Sequence, residues 1–157
     1  MANSRTGNTP NYPFTAFNFS VEIKVPGVAE EVCGAAFAEC DGMEMTMDVK
    51  TIREGGNNDK QIRLAGPLGF GQLTLKRGMT SSFDLWNWVK STMTDPSLRA
   101  DAEIVLFDAD GQTKLASFIL SRCIPVKLKA PALNAKDGMV AIEELQLAYE
   151  SLRIEGA

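Results

Sequence analysis

The chain has no histidine anywhere in its 157 residues. That absence removes imidazole acid–base catalysis, histidine-containing triads and every histidine metal site. Cysteine is scarce and odd in number, at Cys33, Cys40 and Cys123. No CxxC pair exists, so neither a zinc site nor a complete disulfide framework is expected; small buried thiols in a reducing compartment are. No run of about 18 apolar residues occurs, so no helical membrane span is expected. Met1–Pro13 lacks the apolar stretch of a secretory signal. Cytoplasmic synthesis without direct membrane insertion is the expectation. Positive charge is not in excess either: Lys plus Arg is 16 against 20 for Asp plus Glu, a net −4. That argues against a protein whose main task is gripping nucleic-acid phosphates.

What is present reads as an ordinary globular domain, 45% apolar and 23% charged,. A chain of this length buries roughly 68–70% of its unfolded surface without metals or disulfides. One domain over 14–157, preceded by a polar flexible arm over 1–13, is expected. Phe17, Phe19, Val21, Ile23 and Val25 alternate with polar residues, the period of a half-buried strand,. Met43, Met45, Met47 and Val49 alternate with Glu44, Thr46, Asp48 and Lys50 in a second strand. It continues a segment around Phe37–Cys40, with Gly42 as a bulge or bend. Its apolar side is expected to face the subunit core.

Arg53-Glu54-Gly55-Gly56-Asn57-Asn58-Asp59-Lys60 is polar and turn-forming, a mobile loop in an isolated chain,. Leu64–Gly71 is broken up by Gly66-Pro67 and Gly69, and Leu73 and Leu75 mark a short strand closed by Gly78. Ser81 and Asp84 resemble a capping box for a helix over 82–92, with Leu85, Trp86 and Val89 packing inward beside Phe83 and Trp88,. Residues 102–107 and 115–123 form a hairpin through Asp108–Gly111; Pro125 and Pro131 mark an irregular connection. A last strand spans 140–152. Its apolar phase slips across Glu143-Glu144, which predicts a bulge or a change of sheet. Six to eight strands and one helix, not alternating, predict a mainly β antiparallel sandwich or barrel with one packed helix.

Chemistry is sparse. Gly66, Gly69 and Gly71 lack the order of a phosphate loop. Asp108 and Asp110 lack the remaining calcium ligands. Glu143 and Glu144 point to opposite faces of a strand, and Lys76-Arg77 reads as a solvated or interface feature. No catalytic residue, metal site or cofactor is assigned, so an enzyme is not expected. Long alternating strands with open edges are parts suited to assembly.

These residues resemble the tube proteins of contractile phage tails and phage-tail-like contractile injection systems, over about Phe17–Leu152. The resemblance is carried by Phe17-Asn-Phe19-Ser-Val21; by Phe37, Glu39, Cys40 and Gly42; and by Arg53–Asn58. It continues through Leu73–Gly78 with Leu85-Trp86-x-Trp88, and through Pro125, Lys127, Pro131, Leu133 and Ala135 ahead of Val140–Leu145. Ala65, Phe118, Leu128 and Ala130 depart from common family residues while keeping apolar or turn character.

The resemblance implies homohexameric rings whose strands join a ring-wide β-barrel. The rings stack into a hollow tube inside a sheath, with baseplate and tube-cap partners and a lumen cargo of effector protein or DNA. On this reading Glu44, Thr46, Asp48 and Lys50 face the lumen. Arg53, Glu54, Gly55, Gly56, Asn57, Asn58 and Asp59 reach a neighbouring subunit or ring. The helix sits outside, where its far side meets the sheath. Two alternatives stay open: a baseplate-proximal adaptor ring of the same family, and a monomeric barrel holding a small apolar ligand.

Overall fold

The computed structural model describes residues 13–26, 31–53, 55–56, 59–136 and 138–156. The arm expected over 1–13 lies outside these residues but for Pro13. In chain order the elements are β1 (Phe19–Lys24), β2 (Glu31–Ala35), β3 (Glu39–Asp41), β4 (Met45–Arg53), β5 (Gln61–Phe70) and β6 (Gln72–Gly78). Then come α1 (Asp84–Thr94), β7 (Ala100–Phe107), β8 (Lys114–Lys129), β9 (Ile142–Ala148) and β10 (Ser151–Gly156).

Antiparallel pairing runs in the order β2-β1-β7-β8-β9-β6-β3, with β10 also on β8. The 16-residue β8 joins two layers. Its residues 116–121 pair with β10 and its residues 124–129 with β9. Between them Arg122 takes a φ of 55°, left-handed for a non-glycine residue, at the bend,. Pro125 lies inside β8 at a register shift rather than in an irregular connection. A proline is tolerated where the ladder is already interrupted.

Alternation fills the space between the layers. Val21 and Ile23 of β1, Leu73 and Leu75 of β6, Ala102 and Ile104 of β7, and Leu145 and Leu147 of β9 are all buried. Each fully buried Val, Leu or Ile contributes roughly 1.5–3 kcal/mol. Leu85 and Trp88, three residues apart on one helix face, close the packing from α1,. Trp88, not Trp86, is the deeply buried tryptophan, while Trp86 and Val89 are half-buried. The helix begins at Asp84 with Phe83, not Ser81, at the cap position. Asp84 is held by Arg77 instead.

The expected break at Glu143-Glu144 is absent: β9 keeps one register with β6 from Ile142 to Ala148. Glu143, Leu145, Leu147 and Tyr149 all point inward. The apparent slip is a buried carboxylate standing in an apolar phase. The change of partner falls later, at Tyr149-Glu150, between β9 and β10.

The segments β3–β4 and β5–β6 are two long strands interrupted at 42–44 and at Gly71. Their base belongs to the sandwich, through β3 and β6, while among the described residues β4 and β5 pair only with each other. The glycine-punctuated stretch 64–70 is thus strand, not loop.

Candidate assembly surface

The hairpin β4–β5 is rooted by tight contacts. Gly42 has a φ of 101°, and a Cβ there would collide with the backbone carbonyl of Gln72, so only glycine fits. The Tyr149 hydroxyl donates to the Gly42 carbonyl at 2.8 Å and accepts from the Glu44 N–H at 3.0 Å. The Phe70 ring lies 5.8 Å from the Tyr149 ring, centroid to centroid. Added Cβ atoms at Gly66 and Gly71 would run into the Asp48 backbone and the Glu44 side chain. The glycines of β5 let its neighbour strand approach closely.

Cross-strand pairs define two hairpin faces. Met45 opposes Phe70, Met47 opposes Leu68 and Val49 opposes Ala65. Phe70 packs against the core, so this face continues the core side of the sandwich,. Yet Met45, Met47, Val49 and Leu68 are 59%, 49%, 57% and 54% exposed. The expectation that the methionine stripe faces the subunit's own core therefore fails beyond Met43, which does pack against it. The stripe extends past the end of the sandwich, and no body of this chain is there to cover it among the described residues.

The opposite face carries Thr46, Asp48 and Lys50, with Gly69 and Leu64 across from Thr46 and Lys50. Glu44 lies over Gly71. At the tip, Arg53 ends β4, and Gly55, Gly56 and Asp59 form turns. Glu54, Asn57 and Asn58 lie outside the described residues.

A buried charge cluster holds the helix to the sandwich. Arg77, 5% exposed, donates from Nε to Glu143 Oε1 at 2.5 Å and from Nη2 to Asp84 Oδ1. It also donates from Nη1 to Cys33 Sγ at 3.4 Å and lies over the Phe37 ring. The Trp86 indole N–H donates to Glu143 Oε2 at 3.0 Å. Burial works against the Asp84 carboxylate, but the hydrogen bonds and charge of Arg77 outweigh it and hold its pKa below the ordinary range,. Lys76 is surface-exposed as expected; Arg77 is not.

Nothing in this arrangement sets up a reaction. Among the described residues no group of three or more Cys, Asp or Glu is placed to hold a metal. The three cysteines form no disulfide. Burial and Asp41 push the Cys40 thiol up to about 11, and burial first of all pushes Cys123 up to about 12. Asp110 accepts from the Thr113 hydroxyl and from two backbone N–H groups, which closes a turn rather than a calcium loop. The interior where a ligand would sit is filled by Leu73, Leu75, Leu120, Leu145 and Leu147. No helix among the described residues is long and apolar enough to cross a membrane.

Residues 15–153 match the family model of the T4-like virus tail tube protein gp19, and the chain belongs to that family. It is a structural subunit of the tube of a contractile injection apparatus, not an enzyme. A chain in the anti-feeding prophage baseplate is similar over 94% of this chain and 98% of its own, with 25% identity and a TM-score of 0.82. A chain in the extended sheath–tube complex of PVC, an extracellular contractile injection system, is similar over 93% of each chain, with 21% identity and a TM-score of 0.80. A chain in the tube-terminating cap of the anti-feeding prophage is similar over 100% of both, with 21% identity and a TM-score of 0.80. No curated protein matches the chain.

Proposed function

We propose that this chain forms homohexameric rings that stack into the hollow inner tube, with each subunit's strands joining one ring-wide barrel. The observation that carries the reading is the hairpin β4–β5. Its β4 strand alternates from Met45 to Lys50 and its β5 strand brings close-fitting glycines, yet it leaves Met45, Met47, Val49 and Leu68 in water. A patch of this kind needs a partner, and a second copy of the chain supplies one. The apolar face then lies against the neighbouring subunit. The face with Glu44, Thr46, Asp48 and Lys50 lines the lumen. The tip, Arg53–Asp59, reaches the next subunit or ring.

The polar outer side of α1, with Asn87, Lys90 and Ser91, is the surface offered to a sheath. Tube ends meet baseplate and cap proteins, as the likeness to chains in such assemblies supports. The subunit is made in the cytoplasm and works inside an assembled particle. The lumen carries an effector protein or DNA, and its mixed-charge wall holds neither by phosphate contacts. The likeness to a chain in a baseplate also supports a second reading, an adaptor ring between tube and baseplate.

Labelling tests the lumen assignment. In assembled tubes carrying Asp48→Cys, a small maleimide should react along the whole tube. A bulky protein conjugate should reach the thiol only at tube ends. Bulky label decorating the outer wall would contradict it.

A further inference from the structure

The methionines of the chain divide by position. Met43 packs against the core. Met45 and Met47 stand in water on the apolar face of the hairpin, opposite Phe70 and Leu68. Met93, on α1, and Met139, in the connection after β8, are exposed on other elements, at 78% and 79%. On the hairpin face the remaining apolar residues are Val49, Ala65, Leu68 and Phe70. A mild oxidant leaves those four unchanged but converts a thioether to a sulfoxide. Strand propensity does not account for methionine at 45 and 47, because it favours β-branched and aromatic residues such as Val49 and Phe70.

The thiols are poor competitors for such an oxidant. Peroxide attacks the thiolate, at sites that are accessible. Cys33 and Cys123 are buried and Cys40 is partly so. Burial, as the largest cause, keeps the Cys40 and Cys123 thiols protonated, with values pushed up to about 11 and about 12. The exposed methionines are therefore the first groups a peroxide meets.

We propose that Met45 and Met47 are modification sites that make assembly sensitive to oxidation: hydrogen peroxide converts them to sulfoxides in the free subunit, and the oxidised subunit does not join a ring. This rests on the ring reading above and adds a control to that face. In each step an S–O bond forms as the O–O bond breaks. The sulfur gives up two electrons, and the peroxide is reduced to water. The change reverses, since one reductase exists for each sulfoxide epimer.

The harm falls on assembly and not on folding. In the free subunit a sulfoxide oxygen at 45 or 47 is solvated, because both side chains already stand in water. In a contact between copies the same oxygen is carried into an apolar layer, where an acceptor without a donor is costly. The two positions are two residues apart on one strand face, so both oxygens enter the same contact. Protection runs the other way as well: a stripe covered by a second copy is closed to peroxide, so the assembled ring resists the oxidant that stops its subunit.

Partial oxidation of the full wild-type chain tests the proposal. Free subunits are treated with hydrogen peroxide, the excess is removed, and assembly is allowed to proceed. Rings and unassembled subunits are separated by sedimentation, and peptide mass spectrometry places each added oxygen. Sulfoxide at 45 and 47 should be about tenfold or more depleted in rings relative to the unassembled fraction, as burial of an unpaired polar group requires. Sulfoxide at Met93 should divide evenly. Treatment with both reductases and dithiothreitol should restore assembly of the oxidised fraction. Circular dichroism and thermal unfolding check that the oxidised subunit keeps its fold. Rings made first and treated afterwards should take up little oxygen at 45 and 47. Equal sulfoxide at 45 and 47 in both fractions, or rings not restored once those sulfoxides are removed, would overturn this control and leave the ring reading standing. An untreated chain that forms no ring even when seeded with tube ends would overturn both.

Discussion

Arg77, on β6, ties three other elements together. It reaches Glu143 on β9, Asp84 at the start of α1 and Cys33 on β2. Removing one member of a buried ion pair strands the other charge in an apolar setting, at a cost of about 3–5 kcal/mol. Arg77→Ala should destabilise the subunit by that amount in denaturant unfolding; a midpoint near wild type would contradict it. The Asp84 pKa is lowered in the folded chain, so its contribution is fully present above its ordinary value, near 3.9, and is lost as pH falls through the folded value,. The stability difference between wild type and Asp84→Asn should therefore shrink below about pH 4. A difference constant from pH 6 to pH 3 would contradict this. The reading of Arg77 as solvated and of Glu143 as a phase slip missed a parity signal: Arg77 follows Leu73 and Leu75 at steps of two, and Glu143 precedes Leu145 and Leu147,. A charge in an apolar phase reads as a slip of register until its partner is seen, and no sequence pattern links positions 77 and 143.

At the scale of elements, the hairpin β4–β5 separates subunit stability from assembly. Its outer strands contribute little to the core, so Met47→Glu with Leu68→Glu should leave the unfolding midpoint nearly unchanged, within about 0.5 kcal/mol. The same pair should abolish rings on the assembly reading; rings at wild-type yield would show that this face stays wet. Replacing Gly42 by Ala instead forces a Cβ onto the Gln72 carbonyl in a left-handed backbone, and should lower subunit stability and distort the hairpin root,. Alternation located β1, β4 and β6 because period two is a local property. It could not say whose core the methionines face, since that depends on bodies beyond the chain. The β7–β8 hairpin was found from an apolar run and the Asp108–Gly111 turn, but β8 continues past Cys123 to Lys129. The β5 stretch 64–70 escaped because glycine and proline lower strand propensity, and their purpose, close approach to Asp48 and Glu44, is visible only once β4 is beside them,. Helix α1 was found from its apolar spacing. Its start was misjudged because Asp84 is claimed by Arg77 instead of by a capping box, and Trp88, read as flanking the packing face, is buried with Leu85.

At the scale of the whole molecule, charge is unevenly placed. Lys50, Arg53, Lys60 and Arg63 outnumber Glu54 and Asp59 around the hairpin tip, in a chain of net charge −4. A basic tip meeting an acidic body is screened by salt. Stacking of rings, followed by light scattering, should weaken between low and high ionic strength more than ring formation does, because the ring contact also buries apolar surface. Equal salt dependence of the two steps would contradict that division. The family itself was legible from the order of short segments along nearly the whole chain, since a structural tube subunit has no catalytic constellation to advertise it.

The central claim is that copies of this chain complete one another. Negative-stain electron microscopy of the purified full chain over a range of concentrations, with preassembled tube ends added as seeds, tests it most directly. The account predicts rings or stacked tubes with a central hole, their number rising with concentration or on seeding. Single subunits at every concentration, which seeds fail to recruit, would contradict it.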